Sequence, residues 1–188
     1  MKRQKSQHIA IIAIFFAIML LIHFISNLVF NLWPVPIKPT LIHIPVIIAS
    51  ILYGPRIGAS LGALMGLISL LTNTIVILPS SYLFSPFVPN GNLFSLLIAF
   101  LPRILTGIFP YYIAKYWRGK IGLGVAGAIG SLTNTIFVLL GIFLFFGSFY
   151  GNSFKTVLSL IISTNSLSEL IISVVLVLSI VPILKRQR

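Results

Sequence analysis

Cysteine is absent from this 188-residue chain, and the acidic residues are reduced to one, Glu169. The first absence excludes disulfides, thiolate metal sites and cysteine nucleophiles. The second removes the paired carboxylates on which much acid–base catalysis depends. The three histidines, His8, His23 and His43, have no metal-ligand spacing, and no Gly-rich phosphate loop or Ser/His/Asp set accompanies them. An enzyme is disfavoured on inventory alone. Charge of either sign is scarce: 7% of residues are charged and 58% hydrophobic, with a mean hydropathy of +1.12. A water-soluble fold would have nothing with which to cover its surface, so the bilayer is the solvent.

Long apolar runs are what the chain does have. A span needs about 20 mostly apolar residues, and the pattern predicts one all-α transmembrane domain over residues 1–188 with helices at 8–32, 41–54, 57–78, 93–117, 120–147 and 156–184. Six spans use nearly all of the chain and leave no room for a soluble catalytic domain. The basic start resembles a signal peptide, but the apolar run passes Ile25 without a small-residue cleavage site and is read as the first span.

The net charge of +12 suggests a nucleic-acid partner until its distribution is considered. With both termini on one side, every Lys and Arg falls on that side except Lys38 and Lys155 opposite and Arg103 within a span. By the positive-inside rule the termini are cytoplasmic, and the basic excess needs no nucleic acid. The cytoplasmic turns are tight. The outer connections are longer, and Trp33, Tyr82 and Phe84 stand in them as an outer lid over a ligand, or as part of an interfacial aromatic belt.

Ionisable groups inside a membrane are costly and mark functional positions. Arg103 stands roughly 15 Å into the fourth helix, and Glu169 roughly 20 Å into the sixth. They form either a structural ion pair or a site in which Arg103 receives a ligand carboxylate and Glu169 orients it. Asn134 and Asn165 lie at comparable depth, with Asn73 shallower, and the five residues make a polar layer suited to a ligand with a carboxylate, an amide and hydroxyls. Interhelical hydrogen bonding is the alternative use of each Asn. Asn73 and Asn134 occur in two copies of Leu-Thr-Asn-Thr-Ile, at 71–75 and 132–136, which hints at an internal repeat of the kind transporters use. Ala10, Ala13 and Ala17 make a smooth ridge on the first helix where another helix can approach. Gly58, Gly62 and Gly66 give the third helix a similar face for packing within the chain.

The Ala13-x-x-x-Ala17 motif, the stretch Ile42–Gly58 and the segments Leu83–Phe87 and Ile98–Leu105 resemble the S components of energy-coupling factor (ECF) vitamin importers, and are most similar to the pantothenate-specific members. The resemblance covers the whole chain in length and topology. It implies a substrate-binding subunit in a prokaryotic cytoplasmic membrane that captures vitamin from outside, closes its outer loops and topples to release the vitamin inward. It implies that Ala10, Ala13 and Ala17 contact a transmembrane coupling subunit, the T component. It also implies two partner ATPases that use ATP and Mg, with no cofactor on this chain. Two other readings remain open: an S component for riboflavin, folate or another vitamin, and a ligand-free membrane assembly or regulatory protein. A flat ring system would want aromatic stacking, and the polar layer contains no aromatic residue.

Overall fold

A computed structural model gives the fold and describes residues 2–32, 41–147 and 165–186. Among them the regular structure is entirely helical: α1 (Lys2–Leu32), α2 (His43–Tyr53), α3 (Pro55–Ile75), α4 (Leu93–Thr106), α5 (Phe109–Tyr116), α6 (Gly119–Phe146) and α7 (Asn165–Arg186), with a single 3-10 turn at Ser81–Leu83. Five segments are long and apolar enough to cross a bilayer: Ser6–Val29, Pro55–Ile75, Leu93–Tyr116, Gly119–Phe146 and Ser166–Arg186. The chain is thus a multi-pass membrane protein.

The short helix α2 organises the rest. Its 11 residues reach only about 16 Å, too little to cross by themselves while exposed to lipid, since a helix end facing hydrocarbon would leave backbone groups unsatisfied. It therefore lies inside the bundle, buried from His43 to Leu52. One face, with Ile44, Ile47, Ile48 and Ile51, packs on Leu123 and Ala126 of α6 and Val177 and Val181 of α7. The other, with Val46 and Ala49, packs on Met19 of α1 and Leu61 and Met65 of α3. Lipid is as apolar as isoleucine, so close packing holds this core together. Pro45 sits in the first turn, where its missing N–H would have had no helical partner. Gly54, at φ +101°, ends α2 by donating its N–H to the Ser50 carbonyl at 2.9 Å, and Pro55 opens α3. A side chain at Gly54 would be strained.

The expected fourth helix over 93–117 answers to the apolar segment Leu93–Tyr116, which is interrupted within: α4 ends at Thr106 and α5 starts at Phe109. Pro110 would press its ring on the carbonyl four residues earlier, that of Thr106, and offers it no N–H, and here the helix breaks. The break brings Gly107 against Gly58 of α3, where a Cβ added to Gly58 would lie 1.9 Å from the Gly107 carbonyl oxygen. One and two turns further along α3, Gly62 meets the backbone of Arg103 and Gly66 that of Ala99. The glycine face of α3 thus sets α4 at backbone contact. Glycines also seat α6: Gly127 on Ser173 and Val174, Gly130 on Ile47 and Pro110, and Gly141 on Ile98.

Helix α1 is the most loosely held. It leans on α2 and α3 through Ile11, Ile12, Phe15, Phe16 and Met19, and one polar tie fixes it higher up. There the Asn27 amide nitrogen and the Thr72 hydroxyl both lie within hydrogen-bond distance of His23 Nε2, at 3.2 Å each. His23 thus joins α1 to α3.

Candidate functional site

Helix α4 begins at a capping box in which the Asn92 side chain accepts from Phe94 N–H and Ser95 Oγ accepts from Asn92 N–H. Ten residues on, the sequence Leu101-Pro102-Arg103 creates a local imbalance. Pro102 has no N–H to give the carbonyl four residues back, so the Ile98 oxygen is left without its helical donor. The Arg103 guanidinium takes that place, Nη1 donating to Ile98 O. This folds the arginine back along its own helix toward the 79–92 loop, as side chains on a helix tend to point. There it lies against the Phe84 ring, 5.1 Å from Cζ to the centroid. Arg103 is 7% exposed, and its Nε–H is left without an acceptor.

Asn134 faces the same interior from α6, 9% exposed, and its Oδ1 accepts no hydrogen bond. The pairing of Gly141 with Ile98 sets the register of α4 against α6. These antiparallel helices place Arg103 and Asn134 at neighbouring levels. Glu169 is buried on α7. Ser173, one turn along on the same face, donates to the Gly127 carbonyl at 3.0 Å, which sets Glu169 level with Ser131, one turn beyond Gly127 on α6. Ser131 is buried and three residues before Asn134, on the same helix face. Sequence reasoning missed it, although an i, i+3 polar pair in an apolar helix was the available signal. A buried donor and a buried acceptor, each without a partner, cost free energy unless something fills them.

Asn73 has other commitments. It stands at the end of α3, where its Nδ2 donates to Ser69 O at 2.8 Å and its Oδ1 accepts from the Ser81 hydroxyl at 3.2 Å. Buried hydroxyls tie down the rest of the loop: Ser85 bonds Thr74 at 2.7 Å and Ser95 donates to Tyr82 O at 2.6 Å. The two copies of Leu-Thr-Asn-Thr-Ile thus have different surroundings, one at a helix end holding a loop, the other deep inside α6. The tied loop lays Tyr82 edge-on to Phe146, 5.6 Å between ring centroids, and Phe84 over Arg103. Trp33 lies outside the described residues, as does the side chain of Asn165, whose backbone opens α7. Ala10, Ala13 and Ala17 are all exposed on α1.

A groove of about 260 Å³ opens between α1, α2 and α7, lined by Phe15, Ile18, Ile44, Pro45, Ile48 and Leu176 among others. All of its lining side chains are apolar, so it offers nothing to anchor a carboxylate or an amide.

Comparison with known proteins bears on this arrangement. Residues 7–181 match the family model for the substrate-specific component of ECF transporters. The chain is 50% identical over 193 residues to the pantothenic acid transporter PanT of Lactococcus lactis subsp. cremoris, covering 100% of this chain and 98% of that protein. It is 32% identical over 212 residues to the pantothenate transporter PanT of Leuconostoc mesenteroides subsp. mesenteroides, covering 99% and 98%. With a family match over almost its whole length and full-length relatives, this chain belongs to the substrate-specific components of ECF transporters.

Proposed function

We propose that this chain captures pantothenate on the extracellular side of a prokaryotic cell membrane and delivers it inward, as the binding subunit of an ATP-driven importer. The observation that carries the ligand is its full-length identity to two pantothenate transporters. The interior chemistry supports it. Pantothenate brings a carboxylate, an amide and two hydroxyls. The carboxylate answers the unpartnered Arg103 Nε–H, and an N–H or O–H answers Asn134 Oδ1. Glu169 and Ser131 are further buried polar groups of the same layer, Asn165 remains a candidate from the sequence, and Asn73 acts through the loop it holds. Tyr82 and Phe84 close the site from outside, with Phe84 linking the loop to the ligand anchor.

Six crossings with both termini in the cytoplasm complete the reading, α4 and α5 sharing one crossing and α2 making the second, short and shielded from lipid within the bundle. The exposed Ala10, Ala13 and Ala17 face a transmembrane coupling subunit, which is joined to two ATPases that bind ATP and Mg. This chain carries out no chemistry of its own. Replacing Ala13 and Ala17 together by leucine is expected to leave pantothenate binding unchanged and to reduce ATP-driven uptake to background. The added bulk would stand on the ridge and keep the partner helix away. Equal uptake by variant and wild type would remove the ridge from the coupling interface.

The ligand itself is tested by equilibrium binding of labelled pantothenate to the purified chain, with riboflavin and folate as competitors. Saturable one-to-one binding displaced only by unlabelled pantothenate is expected. A folded protein that binds none would falsify the assignment.

A further inference from the structure

At the end of the bundle where α5 turns into α6 and α7 finishes, Arg118, Lys120 and Lys185 line one concavity of about 360 Å³, walled by Ala114, Leu123 and Pro182. The convergence is built by the turn. Gly119 at φ +84° reverses the chain, and Gly122 packs on the Trp117 carbonyl so closely that no side chain would fit there. This swings Arg118 and Lys120 toward the last turn of α7. Among the described residues none of the three cations makes a hydrogen bond or an ion pair. The sequence has no acidic side chain to offer them, because Glu169 alone is acidic and it lies roughly 24 Å along α7 from Lys185. A bias of cations to one membrane face accounts for their presence at this end. It does not account for three of them meeting in one concavity, where like charges repel unless an anion from outside joins them.

We propose that this concavity binds the headgroup phosphate of an anionic phospholipid of the phosphatidylglycerol or cardiolipin class. Two features favour a lipid over a soluble anion or an acidic protein segment. The walls are apolar below the cations, and the neighbouring helix faces expose Ile121 and Ile183, beside Tyr116 and Trp117 in the turn. Aromatic residues of this kind sit at headgroup level, and isoleucines just below them meet acyl chains. A basic pocket between helix ends at that level suits a phosphate tethered to two or more acyl chains. The bound lipid supplies the counter-charge that the chain lacks and clamps the end of α7 to the α5–α6 turn.

The test uses the full chain purified from bilayers of equimolar phosphatidylglycerol and phosphatidylcholine, with retained lipid counted by native mass spectrometry. Wild type is expected to keep phosphatidylglycerol in preference to phosphatidylcholine. A basic residue near an anionic surface contributes about fivefold in affinity, so Arg118→Gln, Lys120→Gln and Lys185→Gln together should weaken retention on the order of a hundredfold. Lys185→Gln alone should weaken it about fivefold, which keeps the test readable if the triple variant folds poorly. A control that removes as many charges elsewhere, Lys2→Gln, Lys5→Gln and Arg56→Gln, should retain lipid as wild type does. Equal loss in the control would reduce the effect to diffuse surface charge and overturn the site. So would undiminished retention by the pocket variants, whether or not they fail to assemble with a protein partner. Displacement of the lipid by millimolar inorganic phosphate would reassign the pocket to a soluble anion.

Discussion

Arg103→Ala is expected to weaken pantothenate binding by about 2–5 kcal/mol, the cost of truncating one side of a buried, hydrogen-bonded charge pair. That is roughly thirtyfold to a few thousandfold in Kd. The same substitution should also lower the melting temperature of the ligand-free protein, for a separate reason. Arg103 donates to the Ile98 carbonyl that Pro102 leaves without a helical N–H, and a buried carbonyl that loses its donor costs about 1–3 kcal/mol. The double variant Pro102→Ala, Arg103→Ala separates the two effects. A backbone N–H at position 102 can bond Ile98 in the ordinary i to i−4 manner, so the double variant should regain much of the lost stability and none of the lost binding. Binding restored along with stability would show that Arg103 serves the helix and not the ligand. Arg103→Lys should bind weakly too, because an ammonium cannot present the two-pronged face that a carboxylate accepts from a guanidinium.

Gly62→Val is expected to destabilise the protein by about 3 kcal/mol and to abolish binding with it. A Cβ at Gly62 would lie 2.2 Å from the Arg103 carbonyl oxygen and 2.7 Å from its carbonyl carbon. Overpacking usually costs about 1–3 kcal/mol, because side chains shift rotamer to relieve it. Backbone atoms have no rotamer to change, so α3 and α4 must move apart, carrying the Arg103 backbone away from Asn134. Gly124→Ala provides the contrast. Its Cβ would meet only Leu178 and Val174 side-chain carbons at 3.7–3.8 Å. It should be neutral or stabilising, by up to about 1 kcal/mol from helix propensity. Thermal unfolding in detergent and pantothenate binding check both. A Gly62→Val protein as stable as wild type would mean that the two helices do not touch at this level.

These two variants also mark how far the sequence could be read. Arg103 stood out as an ionisable group in an apolar run, since the cost of charge in hydrocarbon is independent of fold. The glycine face of α3 was legible as spacing, and its use inside the chain could be inferred from the same spacing. Its partner could not, because backbone contact with α4 depends on where α4 breaks. Besides Pro55, which opens α3, four prolines fall within helices or their first turns. Pro45 costs nothing in a first turn, Pro102 is compensated by Arg103, and Pro182 lies inside α7. Only at Pro110 does a helix give way, beside the Gly58–Gly107 contact. All four look alike in a hydropathy plot. Among the asparagines, identical pentapeptides put both Asn73 and Asn134 among the candidate ligand groups, yet two residues separate Asn73 from the end of α3 and a dozen separate Asn134 from the end of α6.

The sequence by itself determined that this protein is a helical membrane protein and that Arg103 is an ionisable group within an apolar run. Each of these follows from the transfer cost of residue types, which does not depend on their neighbours. Only the tertiary structure decided that α2 is the buried axis of the bundle, that Asn73 holds a loop while Asn134 faces the interior, and that Phe84 reaches Arg103. It also decided that Lys185 shares one concavity with the distant Arg118 and Lys120. Those outcomes depend on which backbones can approach each other, and that is fixed by glycine contacts and proline breaks between segments far apart in the chain.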